Sequence, residues 1–398
     1  MKILITTDLY STNTNGVVTS VNNLYEELKK KGHDVRIFTF SDSIHSHKDG
    51  DVYYLRSMPI GVYPNARMPL TYYHRLVKEL VKWKPDIIHS QCEFFSYQYA
   101  LHISKHTDAP IVHTCHTLYD QYVTYLSPSR RLGRKIIHVF TRNRLKKVDG
   151  IVAPTHKVED ALLDYGVKNN IEVVPSGINL EQHKIRLPKE ERLAKRRALG
   201  YADDHLVLLN LGRLGTEKRV DELLELFASA IEKHSNLRFL IVGDGPARFD
   251  LEKLVARLGI GGYVHFTGMV DPSTVQEYYQ LGDIFVCAST SEAQGLTYIE
   301  AAANGLPLLC RDDPCLTDII RQGENGFTYK DADEFLEKID IIHDDPAWCE
   351  NAGKKSEIIS NTFDKVTFGD SIEEVYEEVL AARNKYNAEE NEEEYEKV

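Results

Sequence analysis

Short β-branched runs alternate with amphipathic helical patterns from Met1 onward, and after a Pro/Gly cluster at Pro175-Ser-Gly-Ile-Asn179 the same alternation begins again. Parallel strands are joined only by crossovers long enough to hold a helix, so this rhythm predicts an α/β fold around a parallel sheet. Two rhythms predict two sheets. The first is expected over residues 2–7, 34–40, 51–55, 86–90, 110–115, 150–153 and 171–174, the second over 206–212, 237–242, 263–268, 283–288, 306–310 and 326–329. A chain of 398 residues also exceeds what one hydrophobic core usually organises. The expected domains are residues 1–176 and 177–366, followed by a disordered acidic tail at 386–398, where six Glu accompany one Lys. No repeat of 20 to 50 residues suggests a solenoid.

The opening Met1-Lys-Ile-Leu-Ile-Thr-Thr7 meets Asp8 at once and reads as a first strand rather than a signal peptide, and no apolar run approaches the roughly 20 residues that span a bilayer. Six cysteines without a C-x-x-C pair read as reduced packing residues of a cytoplasmic protein, with no metal or disulfide expected. Charge is unevenly divided. Residues 1–176 carry 23 Lys and Arg against 17 Asp and Glu, and the remainder carries 25 against 43. A basic half fits nucleic acid or an anionic membrane surface, and no nucleic-acid motif accompanies it.

Its most unusual stretch is 129–147, where Arg130, Arg131, Arg134, Lys135, Arg142, Arg144, Lys146 and Lys147 occur with no acidic residue. On a helical wheel Leu132, Ile136, Val139 and Phe140 share an arc of about 100° and the cations take most of the rest. This pattern fits a helix lying on a membrane surface, or a helix whose apolar stripe packs on the sheet under a solvated basic face. The segment Met58–Arg75, with three prolines, is too irregular for a strand and suits the wall of a ligand groove, as do the aromatics Phe94, Phe95, Tyr97, Tyr99, Tyr119, Tyr122 and Tyr125.

Candidate ligand-binding residues cluster at predicted strand ends. In Ser291-Glu-Ala-Gln-Gly-Leu-Thr-Tyr-Ile-Glu300 a buried strand, a glycine turn and a helix follow one another, which offers backbone N–H groups at a positive helix end to a phosphate. Glu292 and Glu300 bring two carboxylates to the same place. Arg213, after Gly212, and Lys218 supply a planar fork and a point charge suited to a diphosphate. Gly243-Asp-Gly245 and the turn at Gly268 suit a flat base held by backbone groups. Phosphates and hydroxyls together suggest a nucleotide sugar. In the first half, Gly16 lies in a polar loop after the first strand and His116 ends the strand that contains His113, which reads as a packed histidine.

Taken in order, Gly16, His116, Pro175–Asn179, Gly212-Arg213 with Lys218, Gly243-Asp-Gly-Pro246 and Glu292-x7-Glu300 resemble the GT-B retaining glycosyltransferases of family four, over about residues 1–380. The resemblance implies two facing Rossmann-like domains with parallel sheets and a cleft between them, the acceptor on the first and the donor on the second, and a helix near 367–385 crossing back to the first. It implies that Arg213 and Lys218 hold the donor diphosphate, that the backbone of Gly295, Leu296 and Thr297 caps it, that Glu292 meets the sugar hydroxyls and Glu300 the ribose. Gly16 would approach the donor phosphate and His116 the donor sugar. No D-x-D motif is present, so the expected co-substrate is a UDP-sugar with no metal or other cofactor. Asn15-Gly16 stands where many members have paired glycines, and Gln294 where many have Phe. The second variant resembles the bacterial diacylglycerol glucosyltransferases, which implies UDP-glucose as donor, a lipid acceptor, and peripheral attachment to the inner face of the cell membrane through Arg130, Arg131, Arg134, Lys135, Arg142 and Arg144. The rival readings are a transferase acting on a soluble glycan, protein or polyol, and a non-catalytic GT-B partner subunit.

Overall fold

The computed structural model describes the backbone of residues 1–10, 15–60, 67–122 and 129–396, with side chains for these except 121, 122, 130 and 386–396. The chain divides into two compact units, Met1–Gly177 with Lys365–Val398, and Ile178–Asp364.

The first unit contains β1 (Lys2–Thr6), β2 (Asp34–Phe40), β3 (His47–Asp49), β4 (Val52–Leu55), β5 (Ser57–Pro59), β6 (Arg67–Pro69), β7 (Ile87–Ser90), β8 (Ile111–Thr114), β9 (Gly150–Ala153) and β10 (Ile171–Val173). Eight of them form one sheet in the order β10-β9-β8-β7-β1-β2-β4-β3, parallel except for β3 against β4. Strands β7, β8 and β9 are buried throughout and β1 at all but Lys2, as in a parallel sheet covered on both faces, and β7 and β8 carry His89, Ser90, His113 and Thr114 within that buried run. The final helix, Lys365–Glu396, supplies Phe368, Ile372, Val375 and Tyr376 to the core formed by Ile3, Ile5, Val21 and Leu24. It continues through the segment for which the sequence predicts a disordered tail. Ala, Glu and Lys are good helix formers, and extending a helix already nucleated on the core avoids the cost of starting one.

Met58–Arg75 also departs from expectation. Strands β5 and β6 pair antiparallel, Met58 opposite Met68, although the composition reads as too irregular for a strand. A three-residue ribbon accommodates Pro59 and Pro69 because each sits at a strand end. Met58, Met68, Leu70, Tyr72 and Tyr73 remain exposed, whereas Tyr97 and Tyr99 are buried core residues rather than groove wall. Residues 61–66, Tyr125 and the side chain of Tyr122 lie outside the described residues.

The second unit holds β11 (Leu206–Leu211), β12 (Leu237–Val242), β13 (Val264–Phe266), β14 (Ile284–Cys287), β15 (Leu308–Arg311) and β16 (Gly326–Tyr329), all parallel in the order β13-β12-β11-β14-β15-β16. Successive strands step outward from β11 to β13 and then resume on the other side at β14. The order reverses between β11 and β14, and a crevice opens at the carboxyl ends where strand order reverses. All six cysteines are free.

Candidate active site

Everything that leaves β11 and β14 meets at that reversal. After β11 the chain passes Gly212 and Arg213 and makes a short 3-10 turn, Thr216–Lys218, before the helix Val220–Lys233. After β14 it passes Glu292 and Gln294 and enters the helix Leu296–Ala303 through Gly295, whose φ of 81° is left-handed. A methyl group at Gly295 would collide with the ring of Tyr298, so glycine is required there on steric as well as backbone grounds. Tyr298 N–H turns back to the Gly295 carbonyl at 3.0 Å, and the N–H groups before it, at the helix start, are the kind that caps or ligands take.

One ion pair binds these loops together and a second braces the loop after β11. Lys218 Nζ donates to Glu292 Oε1 at 2.5 Å, and Arg213 pairs with Glu217, a residue that the sequence pattern does not single out. The Ser291 hydroxyl reaches the Glu217 carbonyl at 3.4 Å and completes the tie. Arg213 and Lys218 are thus held beside two carboxylates at one sheet edge, and both pairs are part-exposed. Glu292 stands at the cation and Glu300 sits on the other side of the helix start, accepting a 2.6 Å hydrogen bond from the Tyr279 hydroxyl. Tyr279 is likewise unmarked in the sequence, because its role depends on the fold bringing it to Glu300.

Burial pushes the Glu300 carboxyl up to about 7, and the Tyr279 hydrogen bond offsets only part of that rise. The folded protein therefore keeps this proton to higher pH than the unfolded chain, so stability falls as pH rises from about 4.5 to about 7. Glu300→Gln is expected to flatten the drop in thermal midpoint between those pH values; an unchanged slope would exclude Glu300 as the group responsible.

Gly243 and Gly245 do not line an open cradle of backbone groups. Gly243 N–H donates to the Gly268 carbonyl at 3.0 Å, Gly212 N–H to Val242, and Leu214 N–H to Asp244, so the turns after β11, β12 and β13 form one hydrogen-bonded rim beside Arg213. Within that rim Gly243 N–H and the Gly268 carbonyl bond one another, and Gly245 N–H donates to the Asp244 side chain at 2.7 Å.

In the first unit, Asn15 caps the helix Gly16–Lys30 by accepting from Val18 N–H at 3.0 Å, which accounts for Asn in place of the first of two glycines. Gly16 is the first residue of that helix and is exposed; residues 11–14 lie outside the described residues. His116 Nε2 donates to Gln91 Oε1 at 2.6 Å, and burial lowers its pKa to about 4, so the imidazole is neutral at pH 7. His113 is fully buried beside Tyr97. Among the described residues, two groups of side chains bring metal-ligating atoms together, Glu93 with His113 and Cys115, and His234 with His343 and Asp344. Neither group includes a residue of the loops after β11 and β14.

The helix Arg130–Leu145 resolves the choice between its two possible faces. It buries Gly133, Ile137, Thr141 and Leu145, while Leu132, Ile136 and Val139 are 55%, 49% and 38% exposed. The apolar arc on the wheel faces outward, with Arg131, Arg134 and Lys135 also exposed around it. Phe140 stacks on the half-exposed Phe94 at 5.9 Å between ring centres, and Arg144 lies over the Phe140 ring. The Arg130 side chain lies outside the described residues. No helix among the described residues is long and apolar enough to cross a membrane.

Comparison with known proteins gives the same picture for both units. Residues 14–182 match the family described as Glycosyltransferase Family 4, and residues 191–358 match Glycosyl transferases group 1. The chain is 34% identical over 331 residues to the alpha-monoglucosyldiacylglycerol synthase of Streptococcus pneumoniae, covering 83% of this chain and 75% of that one. It is 31% identical over 399 residues to the enzyme of the same name from Acholeplasma laidlawii, covering 97% and 99%. Among solved structures, Anabaena Alr3699/HepE in complex with UDP superposes with a TM-score of 0.75 at 18% identity, over 95% of this chain and 100% of that one.

Proposed function

This chain belongs to glycosyltransferase family four, and with that membership as premise we propose that it moves glucose from UDP-glucose to a diacylglycerol-type acceptor at an anionic membrane surface, as a peripheral protein of the cytoplasmic face. Two supports for the donor are the relatives named as glucosyldiacylglycerol synthases and the UDP bound by Anabaena HepE.

In this reading the diphosphate enters between Arg213 and Lys218, where the carboxylates of Glu217 and Glu292 now sit, and is capped by the N–H groups at Gly295, Leu296 and Thr297. Glu292, relieved of part of its hold on Lys218, accepts from sugar hydroxyls, and Glu300 binds the ribose. The acceptor hydroxyl oxygen bonds to the anomeric carbon as the bond from that carbon to the β-phosphate oxygen breaks. Its proton passes to the departing phosphate on the same face, which retains configuration and asks for no protein nucleophile. Arg213 and Lys218 stabilise the charge that develops on the diphosphate, without a metal. Gly16 and His116 keep the roles of donor-phosphate approach and sugar contact that the family resemblance gives them.

The observation that carries the lipid half of this reading is the outward apolar strip of Leu132, Ile136 and Val139 set among exposed cations. A strip of this kind enters the headgroup boundary while Arg and Lys meet anionic lipid. Labelled UDP-glucose, UDP-galactose, UDP-N-acetylglucosamine and GDP-mannose crossed with diacylglycerol and soluble acceptors should give product for UDP-glucose with lipid. Reversing Arg130, Arg131, Arg134 and Lys135 to Glu should weaken binding to anionic vesicles at least ~100-fold at low salt, since each surface cation contributes about 1 kcal/mol. Product on soluble acceptors alone, or vesicle binding indifferent to the reversal, would remove the membrane assignment.

A further inference from the structure

The helix Arg130–Leu145 carries more than a diffuse positive charge. Beside its outward apolar strip, Arg131, Arg134, Lys135 and Arg142 follow one another at helical spacing with His138 and Val139 between them, and together they form one wall of a concavity of about 480 Å³. Asp164 and Tyr165, from the end of the helix His156–Asp164, form the other wall. That volume falls within the range of pockets that hold small molecules.

Two buried donors at this concavity make no well-formed hydrogen bond among the described residues, although the Asp120 carboxylate stands near enough to the Tyr165 hydroxyl to raise its ionisation. Tyr165 is 5% exposed, and its hydroxyl finds no hydrogen-bond partner among the described residues; Arg142 Nε is buried and equally unmatched. A buried donor left without an acceptor costs free energy that a bound acceptor returns. Both groups are also firmly placed. The His138 ring stacks on Tyr165 at 4.1 Å and 26°, and is itself held by Asp120 Oδ1 at 3.1 Å. A methyl group at Gly166 would lie 3.5 Å from Arg142 Cδ, so the arginine stem runs along that turn.

The walls offer donors almost exclusively. Four permanent cations face two carboxylates, Asp164 in the opposite wall and, beside the lining, Asp120, which is already engaged by His138 and stands 3.8 Å from Arg134. Burial and the nearby Asp120 raise the Tyr165 ionisation, so at pH 7 it is a neutral O–H donor. Forked guanidinium groups with a phenolic donor match a tetrahedral oxyanion.

Val139 belongs both to this concavity and to the outward apolar strip, so a ligand seated here has its remaining bulk directed along Leu132, Ile136 and Val139. We propose that this concavity is a discrete, stoichiometric site for the phosphate of an anionic phospholipid headgroup, built from Arg131, Arg134, Lys135, Arg142 and Tyr165. The inference rests on the membrane reading given above and adds to it a single bound lipid phosphate in a fixed place. Its occupation sets the rotation of the helix on the surface, because the apolar strip then points into the bilayer while the opposite side stays packed on the sheet.

The test compares variants of the full-length protein that change the pocket without changing its charge with variants that change charge away from the pocket. Tyr165→Phe removes one oxygen and no charge; Arg142→Gln removes one pocket cation; Lys146→Gln and Lys147→Gln each remove an exposed cation outside it. With vesicles of phosphatidylcholine and phosphatidylglycerol, Tyr165→Phe should weaken binding ~3- to 10-fold and Arg142→Gln ~10-fold or more, as expected for the loss of a neutral and a charge-assisted hydrogen bond. Each outer lysine variant should lose no more than about 5-fold. Thermal midpoints of all four measured beforehand separate folding defects from binding. Equal losses for Arg142→Gln and Lys147→Gln with no effect of Tyr165→Phe would mean diffuse attraction and overturn the site while leaving the membrane reading intact. No vesicle binding by the unaltered protein would sink both. Soluble glycerol 1-phosphate, titrated against the protein by calorimetry, distinguishes the source: an Arg142-dependent affinity as strong as that for vesicles would assign the site to a free phosphate ester instead.

Discussion

Lys218→Ala should lower turnover at least ~100-fold, and Glu292→Ala by a similar factor, while the protein stays folded. The size follows from what each group is asked to do. Removing one fixed charge stabiliser from a site where charge develops costs about two to three powers of ten in rate. The stability cost should be small by comparison, because the Lys218–Glu292 pair is part-exposed, with 28% and 17% of the two side chains accessible, and pairs open to solvent contribute about 0–1 kcal/mol. Lys233→Ala is the matched control, since Lys233 pairs with Asp340 at 2.6 Å on the same unit, at the far end of the helix that begins after Lys218. Turnover with labelled donor and lipid acceptor should distinguish them by two orders of magnitude at near-equal thermal midpoints. Unaltered activity in Lys218→Ala or Glu292→Ala would falsify the assignment of this loop pair to the diphosphate.

Gly243→Ala should be the most destabilising single-methyl change in the second unit. The residue has φ 129°, a backbone conformation that side chains disfavour, and an added Cβ would overlap the Gly212 carbonyl oxygen, a backbone atom unable to turn away. Strain at such a position costs about 1–3 kcal/mol, and forcing β11 and β12 apart also weakens the Gly243 to Gly268 bond by about 1 kcal/mol. A total of about 2–4 kcal/mol is expected in denaturant unfolding, together with loss of donor binding, since the same rim carries Arg213. Gly261→Ala, where nothing lies within 4 Å, should change stability by no more than about 0.5 kcal/mol. Similar values for both would show that the rim yields.

The periodicity of the sequence is enough to place most strands, because a parallel strand buried on both faces needs a continuous apolar run such as Ile284–Cys287. The three-residue strands β3, β5 and β6 lack any such run. Arg213, Lys218, Glu292 and Glu300 are legible as candidates from their residue types after strand ends. Their pairing is not, because Lys218 and Glu292 are 74 residues apart and meet only when β14 docks beside β11. Tyr279, 21 residues from Glu300, escapes notice for the same reason, whereas Glu217 is only four residues from Arg213 and escapes because its residue type alone marks no partner. The basic helix reads two ways in the sequence because it is apolar on two sides: the wheel draws attention to Leu132, Ile136 and Val139, but Gly133, Ile137, Thr141 and Leu145 are the ones that pack inward. Shape complementarity with the sheet decides between them, and a wheel carries no shape.

The route of the chain has a consequence for biosynthesis. Gly177 packs against the backbone of Lys365, and Ile178 N–H bonds the Phe363 carbonyl, so the second unit begins and ends at neighbouring points of the chain. It is in effect inserted into the first. The final helix described above, whose Phe368, Ile372 and Tyr376 close the core around Ile3 and Ile5, leaves the ribosome only after the inserted unit. At about 5–20 residues per second, the first unit waits roughly 10–40 s with its sheet uncapped while the inserted unit is being made. The first unit thus closes its core only after the second has been made.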